Sequence, residues 1–297
     1  MIFIQFFMDV GNKNTVIKKP PWLKVRACGN EKFLEVQALL KKHNLRTVCQ
    51  EANCPNRGEC FSSGTATFLI LGPNCTRNCR FCNISPGRPA PVDDKEPERV
   101  AQTVSILKLR HAVITSVTRD DLPDGGAGQF ARVVESIRKR NPQTAIEVLT
   151  PDFRGNKESL EIIFRAGPDI FNHNVETVPR LYGSVRPGAD YRQSLDVLKY
   201  ASRRGESAVK SGLMVGLGET VSELHQVFHD LEKSGVEYLT IGQYLSPSGN
   251  HHPVAKYYSP SEFKELGETA LSTGIKHVYS APLVRSSYHA REQYHSQ

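Results

Sequence analysis

The chain has 297 residues, 39% of them apolar, and carries a formal net charge of +7. That apolar share supports a substantial core and excludes intrinsic disorder, and no apolar run approaches the roughly 20 residues of a membrane span. The lysines and arginines form neither a long block nor a stripe interleaved with aromatics, so no nucleic-acid or membrane partner is expected; a basic surface suits an acidic protein or an anionic small molecule instead.

The opening MIFIQFFMDV is too short for a signal peptide and lacks a basic start and a small-residue cleavage site, which reads as a cytoplasmic address. An extension follows over 19–60, with a Pro-rich start, the lone Cys28, a helix over 31–43 and then three cysteines. From Thr67 the rhythm changes. Short β-branched or apolar runs at 67–71, 112–117, 145–149, 170–174, 212–215 and 238–241 alternate with helical patterns near 98–109, 129–140, 157–165, 191–203 and 222–233. Such alternation implies βαβ units and a parallel sheet. Six strands predict an α/β fold built as a partial (β/α)6 TIM-like barrel. A last helix over 261–272 and an apolar tail to Val284 complete the chain. The expected organisation is an N-terminal extension at 1–66, the partial barrel at 67–260 and a C-terminal extension at 261–297, packed as one domain.

Polar residues recur just after the strands: Thr118–Asp121, Thr150–Asp152, His173–Thr177, Gly216–Glu219 and Gln243–Tyr244. In an α/β barrel these positions open on one face, where ligands bind. Several have plain structural readings. His173 is expected to be a hydrogen-bonded structural histidine, and Asp120-Asp121 to form loop salt bridges rather than a magnesium pair. His251-His252 is expected to be solvated, and Gly125–Gly128 to be loop material able to hinge over the mouth. Gly216-x-Gly218 lacks the third glycine of a dinucleotide fingerprint.

Six of the seven cysteines form two triplets, Cys49-x4-Cys54-x5-Cys60 and Cys75-x3-Cys79-x2-Cys82. Spacings this close in a chain without secretory features read as metal ligands rather than disulfides. Cys28 reads as a bystander thiol. Each triplet is one ligand short of the usual four, which leaves a coordination position for substrate, cofactor or another side chain. A zinc-stabilised module and a non-catalytic iron–sulfur electron carrier are the alternatives from other classes. The first predicts bound zinc without sulfide, the second full ligation of both clusters.

The second triplet, CTRNCRFC after the first strand, resembles the radical S-adenosylmethionine (SAM) superfamily. The first triplet, TVCQEANCPNRGEC, narrows the likeness to the lipoyl synthase family. It continues through KPPWLKVRA, GTATFLILG, TSVTRDDLPDGGA, FNHNVETVPRLY, KSGLMVGLGE, TIGQYLSPS and VRSSYHA, from about residue 19 to 290. A sulfur-inserting relative resembling biotin synthase would lack the first triplet and the RSSY tail. One departure is Asn83, where an acidic residue is frequent in the family.

The resemblance implies two 4Fe–4S clusters. Cys75, Cys79 and Cys82 would hold the SAM-binding one. Cys49, Cys54 and Cys60 would hold an auxiliary, sulfur-donating one, with Ser287 of the RSSY motif as its fourth ligand and Ser286 as the less favoured neighbour. It further implies SAM contacts from Phe81, Thr115, Asn174, Glu176, Arg186, Leu217 and Gln243. The implied reaction inserts two sulfur atoms at carbons 6 and 8 of an octanoyl-lysine chain. The implied partners are the lipoyl carrier domains of 2-oxoacid dehydrogenases, the glycine-cleavage H protein, a reducing electron donor and an iron–sulfur carrier that rebuilds the consumed cluster.

Overall fold

The computed structural model describes residues 18–24, 29–63 and 65–295; Cys28 and the apolar opening segment lie outside them. The six predicted apolar runs are among ten strands of the described residues. The ten are β1 (Arg46–Thr47), β2 (Thr67–Ile70), β3 (Asn74–Cys75), β4 (Ser85–Pro86), β5 (His111–Ser116), β6 (Ala145–Leu149), β7 (Ile170–Asn172), β8 (Ala208–Val215), β9 (Tyr238–Gln243) and β10 (His277–Ser280). The main sheet runs β1-β2-β5-β6-β7-β8-β9-β10, while β3 and β4 pair separately. Each neighbouring pair from β2 to β10 is parallel, and β1 lies antiparallel on β2. β1 and β10 are the edges, so the sheet stays open, as a partial barrel requires.

Two elements correct the sequence expectation. β10 adds a seventh parallel strand where only an apolar tail was read. Its His-Val-Tyr-Ser segment is half-buried and mixed in polarity, which hides a strand from an apolar pattern. β8 begins at Ala208 rather than 212, because Lys210 and Ser211 are polar yet buried.

The helices are α1 (Glu31–Lys42), α2 (Val48–Glu51), α3 (Arg57–Ser62), α4 (Glu96–Ile106), α5 (Ala127–Arg140), α6 (Lys157–Arg165), α7 (Tyr182–Val185), α8 (Tyr191–Arg204), α9 (Val221–Lys233), α10 (Pro260–Ser272) and α11 (Ala290–His295). Their starts follow local chemistry. Asn30 and Asn156 cap α1 and α6, and Thr220/Glu223 and Ser259/Glu262 form capping boxes on α9 and α10. Apolar side chains such as Val104, Phe130, Leu160, Leu198, Phe228 and Phe263 are buried from these helices into one core with the strands. Each such burial stabilises by about 1.5–3 kcal/mol. The glycine segment read as a hinge is instead the packed start of α5. Gly126 caps it at φ 92°, and a Cβ there would lie 2.4 Å from Leu71 Cδ1.

The barrel interior carries a buried polar network. Glu147 of β6 meets Lys210 Nζ of β8 at 3.1 Å, His111 Nε2 of β5 at 3.3 Å and Asn172 Nδ2 of β7 at 2.7 Å. Burial opposes ionisation of Glu147, but the Lys210 ammonium, His111 and Asn172 outweigh it and hold the carboxyl down at about 2. The strand order brings these four together from positions far apart in sequence.

Candidate active site

At the carboxyl end of β2 the chain turns through Leu71 and Gly72, both in the left-handed region, into the loop that carries Cys75, Cys79 and Cys82. The β3–β4 pair closes this loop at its base. Arg77 fixes it to the neighbouring strands with two bidentate forks. One engages Asp120 beyond β5 at 2.8 and 3.0 Å, and the other Asp152 beyond β6 at 2.7 and 2.8 Å. Paired, hydrogen-bonded and buried, these charges fix geometry as well as contributing energy. Asp121 pairs with Arg119 at 2.8 Å, so both loop aspartates are in ion pairs, as expected.

The histidine pair is not solvated. His251 Nε2 donates to the Cys82 carbonyl at 3.1 Å and His252 Nε2 to the Leu217 carbonyl at 2.9 Å, while the His252 backbone N–H donates to the Arg80 carbonyl at 2.8 Å. The segment after β9 thus straps the cysteine loop. His173 is the structural histidine expected, fully buried between the Thr150 carbonyl at 2.9 Å and Ser194 Oγ at 3.1 Å.

The first triplet forms a separate site. Cys49 on α2, Cys54 in the following loop and Cys60 on α3 line a cavity of about 270 Å³ together with Asn56, Thr67, Arg285 and Ser287. The C-terminal tail is stitched to this cavity. Asn56 Nδ2 donates to the Leu283 carbonyl at 2.7 Å, Thr67 Oγ1 to Ser287 Oγ at 2.8 Å, and Tyr288 Oη to Glu59 at 3.0 Å. Ser286 turns the other way, accepting from Asn174 Nδ2 at 2.7 Å. Asn83 joins the two cysteine segments by donating to the Glu51 carbonyl at 2.7 Å.

All six described cysteines are unpaired. Burial, reinforced by the neighbouring thiols of each triplet, pushes Cys79 and Cys49 up to about 11 and Cys82 and Cys60 to about 12. Thiols that oppose one another's ionisation in a buried site become strong ligands once positive charge is shared among them. Backbone N–H groups of Arg77 and Thr118 also point at Cys75 Sγ, at 3.4 and 3.3 Å. Three thiols at each of two sites are the donor type that iron–sulfur clusters take.

The remaining candidates fall into two groups. Asn174, Glu176 and Arg186 converge beyond β7. Glu176 is held at φ 65°, accepts from Asn174 Nδ2 at 3.1 Å and has its carboxyl pushed up by burial against the pull of Arg186, Asn174 and Arg285. Asn174 Oδ1 is buried without a hydrogen-bond partner among the described residues, which fits a donor on a bound molecule. Phe81 packs on the core from the cysteine loop, and Glu219 fixes the Gly216–Leu217 turn by accepting from both backbone N–H groups. Thr115 and Gln243, in contrast, direct their side chains to the backbone. Thr115 donates to the Leu149 carbonyl, and Gln243 donates to the Val215 and Lys256 carbonyls and accepts from Tyr258 N.

The model of the radical SAM superfamily matches residues 69–231, from β2 and its cysteine loop through α9. Streptococcus suis SuiB bound to S-adenosylmethionine shares the fold, with a TM-score of 0.56 over 83% of this chain and 53% of that one, at 11% identity. An open parallel sheet with this three-cysteine loop at its mouth defines the class as a radical SAM enzyme. The chain belongs to the lipoyl synthase family: it is 55% identical over 93% of its length to lipoyl synthase of Caldicellulosiruptor saccharolyticus, covering 97% of that protein. Against lipoyl synthase of Methylococcus capsulatus it is 53% identical over 93% of its length, covering 87% of that protein. The reaction is insertion of two sulfur atoms, at carbons 6 and 8, into an octanoyl-lysine chain borne by a carrier protein. It uses SAM, a SAM-binding 4Fe–4S cluster and an auxiliary 4Fe–4S cluster that gives up sulfur. Among the described residues no helix is long and apolar enough to cross a membrane.

Proposed function

We propose that the two halves of this chemistry divide between the two cysteine segments, with Cys75, Cys79 and Cys82 holding the SAM-binding cluster and Cys49, Cys54, Cys60 and Ser287 the auxiliary one. The observation that carries the reading is the tail's split: Ser287 lines the first-triplet cavity while Ser286 hydrogen-bonds to Asn174 at the mouth. The bound clusters and SAM supply hydrogen abstraction and sulfur; the chain supplies position. Arg77 and His251 hold the cysteine loop still, so that Cys75, Cys79 and Cys82 would keep a fixed position for the cluster. Asn174, Glu176 and Arg186 receive the polar head of SAM, and the backbone at Phe81 and Leu217 flanks its adenine. Thr115 and Gln243 act as positioning residues, since their polar groups are engaged by backbone. Ser287 brings an oxygen to a site of soft thiolates, a harder ligand that iron holds less strongly and the chain can release.

The acyl chain arrives on a lipoyl carrier domain of a 2-oxoacid dehydrogenase or on the glycine-cleavage H protein. A reducing donor and an iron–sulfur carrier that rebuilds the auxiliary cluster complete the cycle.

Anaerobic reconstitution of three variants tests the division. Replacing Cys49, Cys54 and Cys60 by alanine is expected to halve the bound iron and sulfide, keep SAM cleavage and abolish thiolation. Replacing Cys75, Cys79 and Cys82 is expected to halve the iron and abolish SAM cleavage. Ser287→Ala is expected to lose thiolation while cleaving SAM. Loss of SAM cleavage in the first variant, or its survival in the second, would overturn the assignment.

A further inference from the structure

Arg285 is directed into the space between the two sites. A Cβ on Gly242 of β9 would lie 2.1 Å from the Val284 carbonyl oxygen and 3.2 Å from Arg285 Nη1, so the missing side chain is what admits the guanidinium. The side chain is half-buried and lines the first-triplet cavity beside Cys49, Cys54, Cys60 and Ser287. Among the described residues its side chain donates one hydrogen bond, from Nη1 to the Val284 carbonyl at 2.6 Å. Cys54 of the first triplet and Glu176 of the mouth lie within electrostatic reach of it. A guanidinium has five donors and stays charged, so one that lines a thiol-bearing cavity with donors to spare suits an acceptor or an anion there.

Two occupants of that space could meet it, the amide carbonyl of the acyl-lysine or the auxiliary cluster with its thiolates. The amide lies most of an acyl chain's length from carbons 6 and 8, which are the atoms that must reach the sulfur donor. A cation seated by Cys54 therefore meets the reacting end of the chain's path, not the amide.

We propose that Arg285 is the charge partner of the auxiliary cluster, donating N–H to Cys54 Sγ or to a cluster sulfide and raising the cluster's reduction potential. The proposal rests on the reading that the first triplet and Ser287 hold that cluster. Potentials of such clusters follow net charge and hydrogen bonds to sulfur. A sulfide that bonds to a carbon radical leaves one electron with the iron, and a fixed cation beside it favours holding that electron.

The test uses the full chain with Cys75, Cys79 and Cys82 replaced by alanine, so that only the auxiliary cluster loads, and follows its reduction by EPR against a potential scale. Arg285→Gln is expected to move the potential to more negative values, and Arg285→Lys to keep it close to that of the parent. An unchanged potential in Arg285→Gln would overturn the proposal. If Arg285→Gln binds no iron while Arg285→Lys loads fully, the need for positive charge stands. If neither binds iron while both keep the parent's circular dichroism, the arginine serves tail packing and the proposal falls. A parent that loads no cluster removes the site assignment and this proposal together.

Discussion

Glu147 and Lys210 illustrate how single residues in this barrel depend on one another. Each is buried, and each is the other's counter-charge. Glu147→Gln leaves an ammonium in the interior without its partner, which is expected to cost about 3–5 kcal/mol and to lower the thermal midpoint accordingly. The same residue sets part of the acid response. Its carboxyl is held at about 2, below its ordinary value of 4.5, so its contribution is present above about pH 4.5 and lost as pH falls towards 2. Midpoints measured from about pH 6 down to pH 3 should fall more steeply in the parent than in Glu147→Gln; parallel curves would exclude the pair as a source of acid lability. None of this was legible in the sequence, because the partners lie 63 residues apart and only strand order brings them together. The two cysteine triplets, by contrast, stand out by spacing alone. The role proposed for Ser287 comes only through the likeness to the family, since two tail serines have no spacing of their own. Arg77, Glu219, Arg285 and the strapping histidines were not singled out as site residues. Asp152 beyond the third predicted strand was the nearest signal for Arg77.

At the scale of elements, the alternation of apolar runs and helical patterns gave six parallel strands and their helices, and the caps on α1, α6, α9 and α10 explain why helix starts were close. Where the reading fell short, polarity was the cause: a lysine inside β8 and a half-buried edge in β10. β10 matters beyond the count, because it leads directly into the tail that reaches the first triplet. Gly242 is the point where sheet and tail interlock. Gly242→Ala forces a methyl group onto the Val284 carbonyl and should displace Arg285 and Ser287 from the cavity. The expected outcome is loss of the auxiliary cluster with the SAM-binding cluster and SAM cleavage intact. Iron content and 5′-deoxyadenosine formation check it, and full iron loading of the variant would contradict the interlock.

On the proposed division of the sites, the carrier protein docks at the mouth that admits SAM. Its formal charge of +7, with Arg80 and Arg88 exposed in and just after the cysteine loop, favours docking of an acidic surface. Raising the salt concentration should therefore weaken binding of the octanoylated carrier more than binding of SAM, because attraction between exposed charged surfaces is screened. Dissociation constants for both, measured across a salt series, check this; equal sensitivity would count against electrostatic docking.

The central claim is that sulfur leaves the site formed by Cys49, Cys54, Cys60 and Ser287 for a chain activated at the site of Cys75, Cys79 and Cys82. Reconstitution with heavy-isotope sulfide, removal of free sulfide and a single turnover on an octanoyl-lysine peptide with SAM and reductant test it most directly. The account predicts a dithiolated product in which both sulfur atoms carry the label. Product with unlabelled sulfur, or labelled product from the variant lacking the first triplet, would contradict it.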